Sequence, residues 1–578
     1  MDSVRIVFVS QGPSFEASSS PFRLLRNYAC LDPRLAERCE FVHHPVLAVA
    51  RRDRKEHARA CIDTARQIIA QSPTIVGLSL YCWNAGFLLA VAAVCKKLRP
   101  DLTIVAGGPD TYGESENLLR QHPQLDFVID GEGEQAFRRF LLAWLDLAPS
   151  PGRLALADEA GFQGVPFIAF RDGDQIVRGQ RRDYIEDLNE IPSPILGASA
   201  DELLTRFHRD GKPSVIVETS RGCPVNCAFC QYPKNDGGRM RYFDIDRVLK
   251  ELAHVRDLGI KSVYFADGIL TVRKERAFEV FRFFLEEFTD GNLHTEIKLD
   301  MLPDLVAGQC RELFRQGRLH FGVGLQSVNR HTLKTIGRPT SLQRLEGNIR
   351  KLGENPNLRW DLIYGLPGDT LHDFLEGIDY IQTVQPGAPM ALQPLQVLPG
   401  TEFRATAAEL GLQYDDVSPH VARQTPQFSP ADMLRAHLVS MLIEQMYPVI
   451  ARLFDAYQIQ PGGAFFTEIF TASFFDESGN HALVTNLARF ARALSAWAEA
   501  RAPSPEVAAL ARDAIEYRVV ESLRDMPEHW DTLTGLRTYV PDEARGGHRF
   551  RFEHDLQTPG QRAEQPWYVQ LGAEAIPA

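Results

Sequence analysis

The chain has 578 residues, 44% of them apolar and 24% charged, with a formal net charge of −12. That is an ordinary globular balance with room for three or four domains and a large core. The acidic balance gives a polyanionic partner no general electrostatic help, leaving only a local basic patch as a route to one, and nine cysteines at this length do not make a disulfide scaffold.

The first residues, Met-Asp-Ser-Val-Arg-Ile-Val-Phe-Val, read as a strand without a signal-peptide pattern. The longest apolar stretch, Ala85 to Cys95, stops at Lys96-Lys97 and is too short to span a bilayer. The expectation is a chain of the reducing cytoplasm with no membrane partner. Residues 1–148 alternate strands (Arg5–Val9, within Glu40–Val49, Thr74–Leu80, Leu102–Ala106, Leu125–Ile129) with helices (His57–Ala70, Ala85–Leu98, Gln135–Leu145). Such alternation predicts a parallel, doubly wound sheet with its loops at the carboxyl ends of the strands. No Gly-x-Gly-x-x-Gly follows the first strand, so the dinucleotide fingerprint is absent.

Residues 149–213 read as a connector. Phe167–Gln180, with Arg171-Asp-Gly-Asp174 in its middle, is a hairpin signal, and Ile191-Pro-Ser-Pro194 breaks regular structure. From 214 to 402 the alternation returns, with strands predicted at 214–218, 262–265, 294–298, 320–325, 359–364 and 391–397 and helices between them. Six such units fit a partial (β/α)6 barrel of the TIM type. Residues 403–578 are mainly helical by spacing, as in Ala431–Phe454 and Ala482–Ala500, and from Pro541 read as partly irregular. Phe465-Phe466 and Phe474-Phe475 suit either a substrate pocket or a core.

Cys223-Pro-Val-Asn-Cys227-Ala-Phe-Cys230 follows the first predicted barrel strand, where a functional loop belongs. Three thiolates at this spacing can hold a cubane iron–sulfur cluster and leave one iron open to a ligand that receives an electron. A zinc site needs four ligands, and the nearest histidines, His208 and His254, lie well away. The other six cysteines are scattered and read as buried apolar residues.

The cysteine triplet, with Phe229 just before its third member, resembles the radical S-adenosylmethionine (SAM) superfamily. The resemblance implies that Cys223, Cys227 and Cys230 hold a [4Fe-4S] cluster, that SAM chelates its open iron, and that an electron cleaves SAM to methionine and a 5′-deoxyadenosyl radical. It also implies SAM contacts at Phe229, at Asp267 in Phe265-Ala-Asp-Gly268, and at Glu296 and Lys298 on the third strand. Gln326 and Ser327 end the fourth strand, Gly365 opens a glycine motif near the adenine, and Gln396 and Leu398 flank the adenine on the sixth.

A doubly wound domain ahead of such a barrel resembles the cobalamin-binding branch of the superfamily. The residues that carry this are Ser79, Tyr81, Trp83 and Asn84, then Gly107-Gly108-Pro109, then Gly131-Glu132-Gly133. The resemblance places the corrin over the strand ends, with Ser79, Gly107 and Gly108 lining the channel of its dimethylbenzimidazole tail and glycines letting the backbone approach a bulky ligand. Asp-x-His-x-x-Gly does not occur, His43 and His44 stand in the wrong context, and no histidine is expected on cobalt. Trp83 reads as facing the lower side of the corrin, or else as a core aromatic.

Together the two resemblances imply a cobalamin-dependent C-methyltransferase. One SAM methylates reduced cobalamin, a second supplies the radical that takes hydrogen from carbon, and the substrate radical takes the methyl group. A small-molecule substrate, natural-product or amino-acid-like, and an external flavodoxin- or ferredoxin-like one-electron donor follow, with no nucleic-acid partner. The alternatives are a non-methylating rearrangement, cyclisation or oxidation on the same cofactors, a tRNA methylthiotransferase, and a non-enzymatic cobalamin sensor or carrier.

Overall fold

The structure is a computed structural model. It describes residues 3–12, 20–46, 54–147, 161–179, 184–206, 213–232, 239–354, 356–457, 482–502, 504–522, 536, 539–542, 547–554 and 562–571. The chain divides into two compact units. Unit 1 is Met1–Gly322, Ile336–Asn357 and Gln396–Arg423; unit 2 is Val323–Thr335, Leu358–Leu395 and Gln424–Ala578.

The first sheet of unit 1 contains β1 (Val4–Gln11), β2 (Cys39–Val46), β3 (Ile75–Ser79), β4 (Thr103–Gly107), β5 (Phe127–Ile129), β6 (Ile168–Asp172) and β7 (Gln175–Arg178), in the order β2-β1-β3-β4-β5-β6-β7. The β1 to β5 pairings are parallel. Both faces are covered, which is why these strands read as nearly continuous apolar runs. Val7, Val9, Val76, Leu78, Ile104 and Ala106 pack on one face with Phe87, Leu88 and Val91 of the helix Ala85–Leu98. Ile6, Phe8, Ile75, Val105 and Phe127 pack on the other with Phe137, Phe140 and Leu141 of the helix Gly133–Leu147. Strand order reverses between β1 and β3, and in open sheets of this kind ligands bind at the carboxyl ends beside such a switch point.

The hairpin forms where the turn signal stood. Gly173 carries φ +58°, a value that suits glycine in a two-residue turn. The predicted connector therefore contributes two strands to the first sheet, because β6 pairs antiparallel with β5 and β7 with β6.

The second sheet of unit 1 uses β8 (Thr205–Arg206) and β9 (Pro213–Val217). A clip of β10 (Ser220–Arg221) and β11 (Arg241–Tyr242) brackets the cysteine loop. Next come β12 (Ser262–Phe265), β13 (Asn292–Ile297) and β14 (Leu319–Gln326). β9, β12 and β13 pair in parallel, and β8 is antiparallel to β9. In β13, Leu293, Thr295 and Ile297 are buried while His294 and Glu296 take the other face, the period-two alternation of a strand with two unlike sides. In unit 2, β15 (Leu358–Tyr364) and β16 (Met390–Pro394) pair in parallel across the helix Leu371–Val384. Strand and helix alternate from β9 to β16 in the order of a partial (β/α)6 barrel.

A ribbon of β17 (Gln413–Tyr414) and β18 (Ala422–Gln424) follows. The helices Pro430–Tyr457, Ala482–Arg501 and Pro505–Ser522 bear out the helical spacing. In the stretch from Pro541 that reads as partly irregular, the described residues of β19 (Tyr539–Asp542), β20 (Gly547–His554) and β21 (Arg562–Leu571) form an antiparallel sheet. Within it Phe550 opposes Val569 and Phe552 opposes Trp567. Phe465-Phe466 and Phe474-Phe475 lie outside the described residues. Among the described residues no helix is long and apolar enough to cross a membrane.

Candidate cofactor site

A cavity of about 560 Å³ opens at the carboxyl ends of β1, β3, β4 and β5, within the size range of small-molecule and cofactor clefts. Ser79, Tyr81, Trp83, Gly107, Gly108, Pro109, Gly131, Glu132 and Gly133 all line it. Its opposite wall comes from the ends of β9 and β12 and the cysteine loop, through Glu218, Arg221, Gly222, Tyr232 and Ala266.

The loop after β3 is stiffened from below. Asn84 is fully buried. Its amide nitrogen donates to the Gln11 carbonyl at 2.9 Å and the Ser79 carbonyl at 3.1 Å, and its amide oxygen accepts from the Tyr81 N–H at 2.8 Å. Asn84 therefore shapes the loop from beneath the cavity. Above it the Tyr81 and Trp83 rings stack at 4.4 Å and 17°, and the Trp83 indole N–H donates to the Gln11 carbonyl at 3.2 Å. Trp83 keeps 38% of its surface exposed, so it forms part of the cavity wall and is not a core aromatic.

The glycines differ in their reasons. A Cβ at Gly108 (φ +109°) would meet the Leu80 carbonyl oxygen at 2.5 Å, and one at Gly131 the Phe167 ring at 2.5 Å. Both are glycine because of their own chain. A Cβ at Gly107 would find only Ile129, at 3.8 Å, so its missing side chain keeps the cavity open.

A buried ion cluster joins the two walls. Arg221 contacts Glu134 at 2.6 Å, Glu218 at 3.0 Å and Glu132 at 3.6 Å, and Arg241 pairs with Glu132. Burial pushes the Glu134 carboxyl up, but the Arg221 guanidinium outweighs this and holds it below its ordinary value. The sequence reading reached Glu132 alone of this cluster. The charges of Glu218-Thr-Ser-Arg221, set at the end of an apolar strand, were the available signal.

The cysteine loop is anchored on every side. Asp267 is buried at the end of β12 and accepts from the Thr219 N–H at 3.2 Å, the Thr219 hydroxyl at 2.8 Å and the Ser220 hydroxyl. Burial pushes its carboxyl up to about 6. Gly222 has φ +94°, and a Cβ there would strike the Arg239 carbonyl oxygen at 2.0 Å. Ala228 donates to the Ile336 carbonyl at 2.9 Å and accepts from the Phe403 N–H at 3.0 Å. Gln231 donates to the Pro109 and Pro399 carbonyls at 3.0 and 2.8 Å. Cys227 is buried, Cys223, Phe229 and Cys230 are half-buried, and Arg338 stands 3.4 Å from the Cys227 sulfur.

The three thiols fit the expected cluster. Burial pushes the Cys223 thiol up and the Cys230 thiol up to about 11, with the neighbouring cysteines adding to it; a bound cationic iron reverses that preference. Among the described residues no three His, Cys, Asp or Glu side chains converge to hold a single ion. A cubane makes no such demand, because each thiolate takes a different iron.

Comparisons with known proteins agree with both halves. The B12 binding domain model matches residues 52–141 and the Radical SAM superfamily model matches residues 217–381. The chain thus carries a B12 binding domain followed by a Radical SAM superfamily domain. Its cofactors are a [4Fe-4S] cluster, SAM and cobalamin. It is similar to the 2-(S-pantetheinyl)-carbapenam-3-carboxylate methyltransferase of Streptantibioticus cattleyicolor, with 29% identity over 61% of this chain and 50% of that one. It is also similar to the cobalamin-dependent radical SAM methyltransferase TokK of Streptomyces tokunonensis, with 27% identity over 65% and 53%. The chain thus spans about half the length of these curated relatives. In fold it resembles the radical SAM methyltransferase TsrM of Kitasatospora setae, with a TM-score of 0.54 and 15% identity over 72% of this chain and 80% of that one.

The residues expected at SAM in this family fall into two kinds. Asp267 accepts from three donors of its own chain, and the buried Lys298 ammonium donates to the Asp300 carboxylate at 2.7 Å and the Pro339 carbonyl at 2.9 Å. Both positions brace loops. Glu296 is half-buried and accepts from the Tyr264 hydroxyl at 3.4 Å. Gly322 makes room for it, since a Cβ there would lie 2.1 Å from its carboxylate. Gln396 and Leu398 are half-buried, and Gln396 bridges to Val421. In unit 2, Gln326 takes φ +72°, a strained value for a side-chain-bearing residue. The Ser327 hydroxyl donates to Asp369 at 3.0 Å, and burial pushes that carboxyl up to about 7. Gly365 has φ +81°, and a Cβ there would meet the Met433 sulfur at 2.6 Å.

In a cobalamin-binding domain so shaped, Gly107→Val is expected to lower cobalamin affinity at least about tenfold, by the 1–3 kcal/mol scale of overpacking. Its melting temperature and cluster absorbance should stay near those of the parent. Equilibrium dialysis with cobalamin checks it; unchanged affinity would place the cofactor elsewhere.

Proposed function

We propose that the chain is a cobalamin-dependent radical SAM C-methyltransferase acting on a natural-product or amino-acid-like small molecule. The observation that supports it most is the cavity itself, which has B12-domain strand ends on one side and the loop of the cluster cysteines on the other. The relatives named as methyltransferases favour the same outcome. When bound, cobalamin supplies a transferable methyl group and SAM on the cluster supplies a carbon-centred radical.

The chain's own residues bind and orient. Cys223, Cys227 and Cys230 hold the cluster, with Asp267, Gly222 and Ile336 fixing their loop. Trp83 and Tyr81 give the corrinoid cavity a rigid floor. Phe229, Glu296, Gln396 and Leu398 serve as SAM contacts. The electron comes from an external flavodoxin- or ferredoxin-like donor in a reducing cytoplasm.

The test is product analysis from reduced, reconstituted enzyme given methyl-labelled SAM and candidate substrates. The expected result is deoxyadenosine with a product carrying the labelled methyl on carbon. Deoxyadenosine with an unlabelled, rearranged or oxidised product would overturn the methyltransferase assignment.

A further inference from the structure

The two ends of the cavity differ in chemistry. Toward the cysteine loop the wall is charged, with Arg221 among three carboxylates. Toward β1 and β2 it is aromatic. Phe8 meets Phe22 at 5.5 Å and Phe137 at 5.0 Å, both edge to face, and the His43 ring stacks on Phe22 at 5.1 Å and 12°.

Inside this aromatic end sits one hydroxyl–imidazole pair, with the Ser10 oxygen 2.8 Å from the His43 Nε2. Both residues line the cavity. The parallel register that sets Phe8 beside His43 brings Ser10 within reach of the ring. Burial, with His44 adding to it, pushes His43 down to about 4, so its ring is neutral at physiological pH. A neutral pair that can donate or accept suits a ring nitrogen, and the surrounding phenyl edges suit a flat aromatic body. Among the described residues that line this end, none is a Lys or Arg to meet a phosphate. Among the parts of a corrinoid, the nucleotide base is the flat heteroaromatic one.

We infer that Ser10 and His43 read the base of the corrinoid tail and make the cavity selective for a benzimidazole over a purine. A benzimidazole offers a ring nitrogen to the pair and turns its methylated edge to Phe8, Phe22 and Phe137. A purine carries an additional exocyclic amine and ring nitrogens, which lose water against the phenyl edges. This rests on the cavity being the cobalamin site.

The experiment compares the binding of cobalamin, its adenine-based analogue and cobinamide, which lacks the nucleotide, to the full chain with its cluster reconstituted. Tryptophan quenching reads the affinities. The parent should prefer cobalamin to the adenine analogue by at least about tenfold, the scale of one or two unmade hydrogen bonds. His43→Ala and Ser10→Ala should each shrink that preference while leaving cobinamide affinity unchanged. Ser10→Ala removes a single oxygen and keeps the test valid if His43→Ala misfolds. Equal parental affinity for the two bases overturns the inference, as does an equal loss of cobalamin and cobinamide binding in the variants. Parental failure to bind any of the three overturns the cobalamin site itself.

Discussion

Cys227→Ala should abolish the charge-transfer absorbance of the reconstituted cluster and all SAM cleavage, while cobalamin binding stays largely intact. Cys227 is the buried cysteine of the three, and its loop is held by bonds from Ala228 to Ile336 and from Phe403 to Ala228 that the substitution does not touch. Each thiolate serves its own iron, so the loss of one cannot be made up by the others. The cavity lined by the strand ends of the first sheet draws on the cysteine loop's neighbours Gly222 and Tyr232 but not on the Cys227 side chain. Iron and sulfide content, SAM turnover and cobalamin affinity measured on one preparation check this. Joint loss of cluster and cobalamin would show that the two sites are not separable.

Arg221→Met should be the most damaging substitution in the cavity wall. It leaves Glu134, with 6% of its side chain exposed, and Glu218 without their shared cation, while Glu132 keeps Arg241. Removing one partner of a buried ion pair costs about 3–5 kcal/mol, because the remaining charge stays desolvated. On a domain of this size that is a fall in melting temperature of roughly 10 °C. Cobalamin affinity should fall with it, since Arg221, Glu132, Glu134 and Glu218 all line the cavity. Arg221→Lys should recover only part of the loss, because an ammonium cannot reproduce a fork that spans three carboxylates. Thermal melts with and without cobalamin give both readings. A melting temperature within about 2 °C of the parent would mean that water already screens the cluster.

What could be read from the sequence was whatever periodicity or tight local spacing carries. The βα alternation fixed the parallel sheets and most strand limits to within a residue or two, because burial on both faces writes long apolar runs. The Arg171-Asp-Gly-Asp174 turn announced its hairpin but not the hairpin's place at the edge of the first sheet beside β5, which is a long-range pairing. The strands β19 to β21 were not read because their alternation is brief and lies among Gly, Pro and charged residues in the sequence. At the site, the cysteine triplet and the strand-end glycines were visible as motifs. The reason for each glycine was not: Gly108 and Gly131 answer to Leu80 and Phe167, and only Gly107 leaves open space.

By itself the sequence determined the βα alternation, the cysteine set and the family resemblance, since each lies within a short stretch of chain. The tertiary structure alone decided which side chains share a cavity. Asp267 and Lys298, polar and well placed in sequence, are engaged by Thr219 and Ser220 and by Asp300 and Pro339. His43, set aside in sequence, stands in the cavity wall on Ser10 and Phe22. Arg221 gathers carboxylates as far as 89 positions before it, at Glu132. Hydrogen bonding and charge pairing depend on distances of a few ångströms between residues far apart in the chain, and no local pattern encodes them.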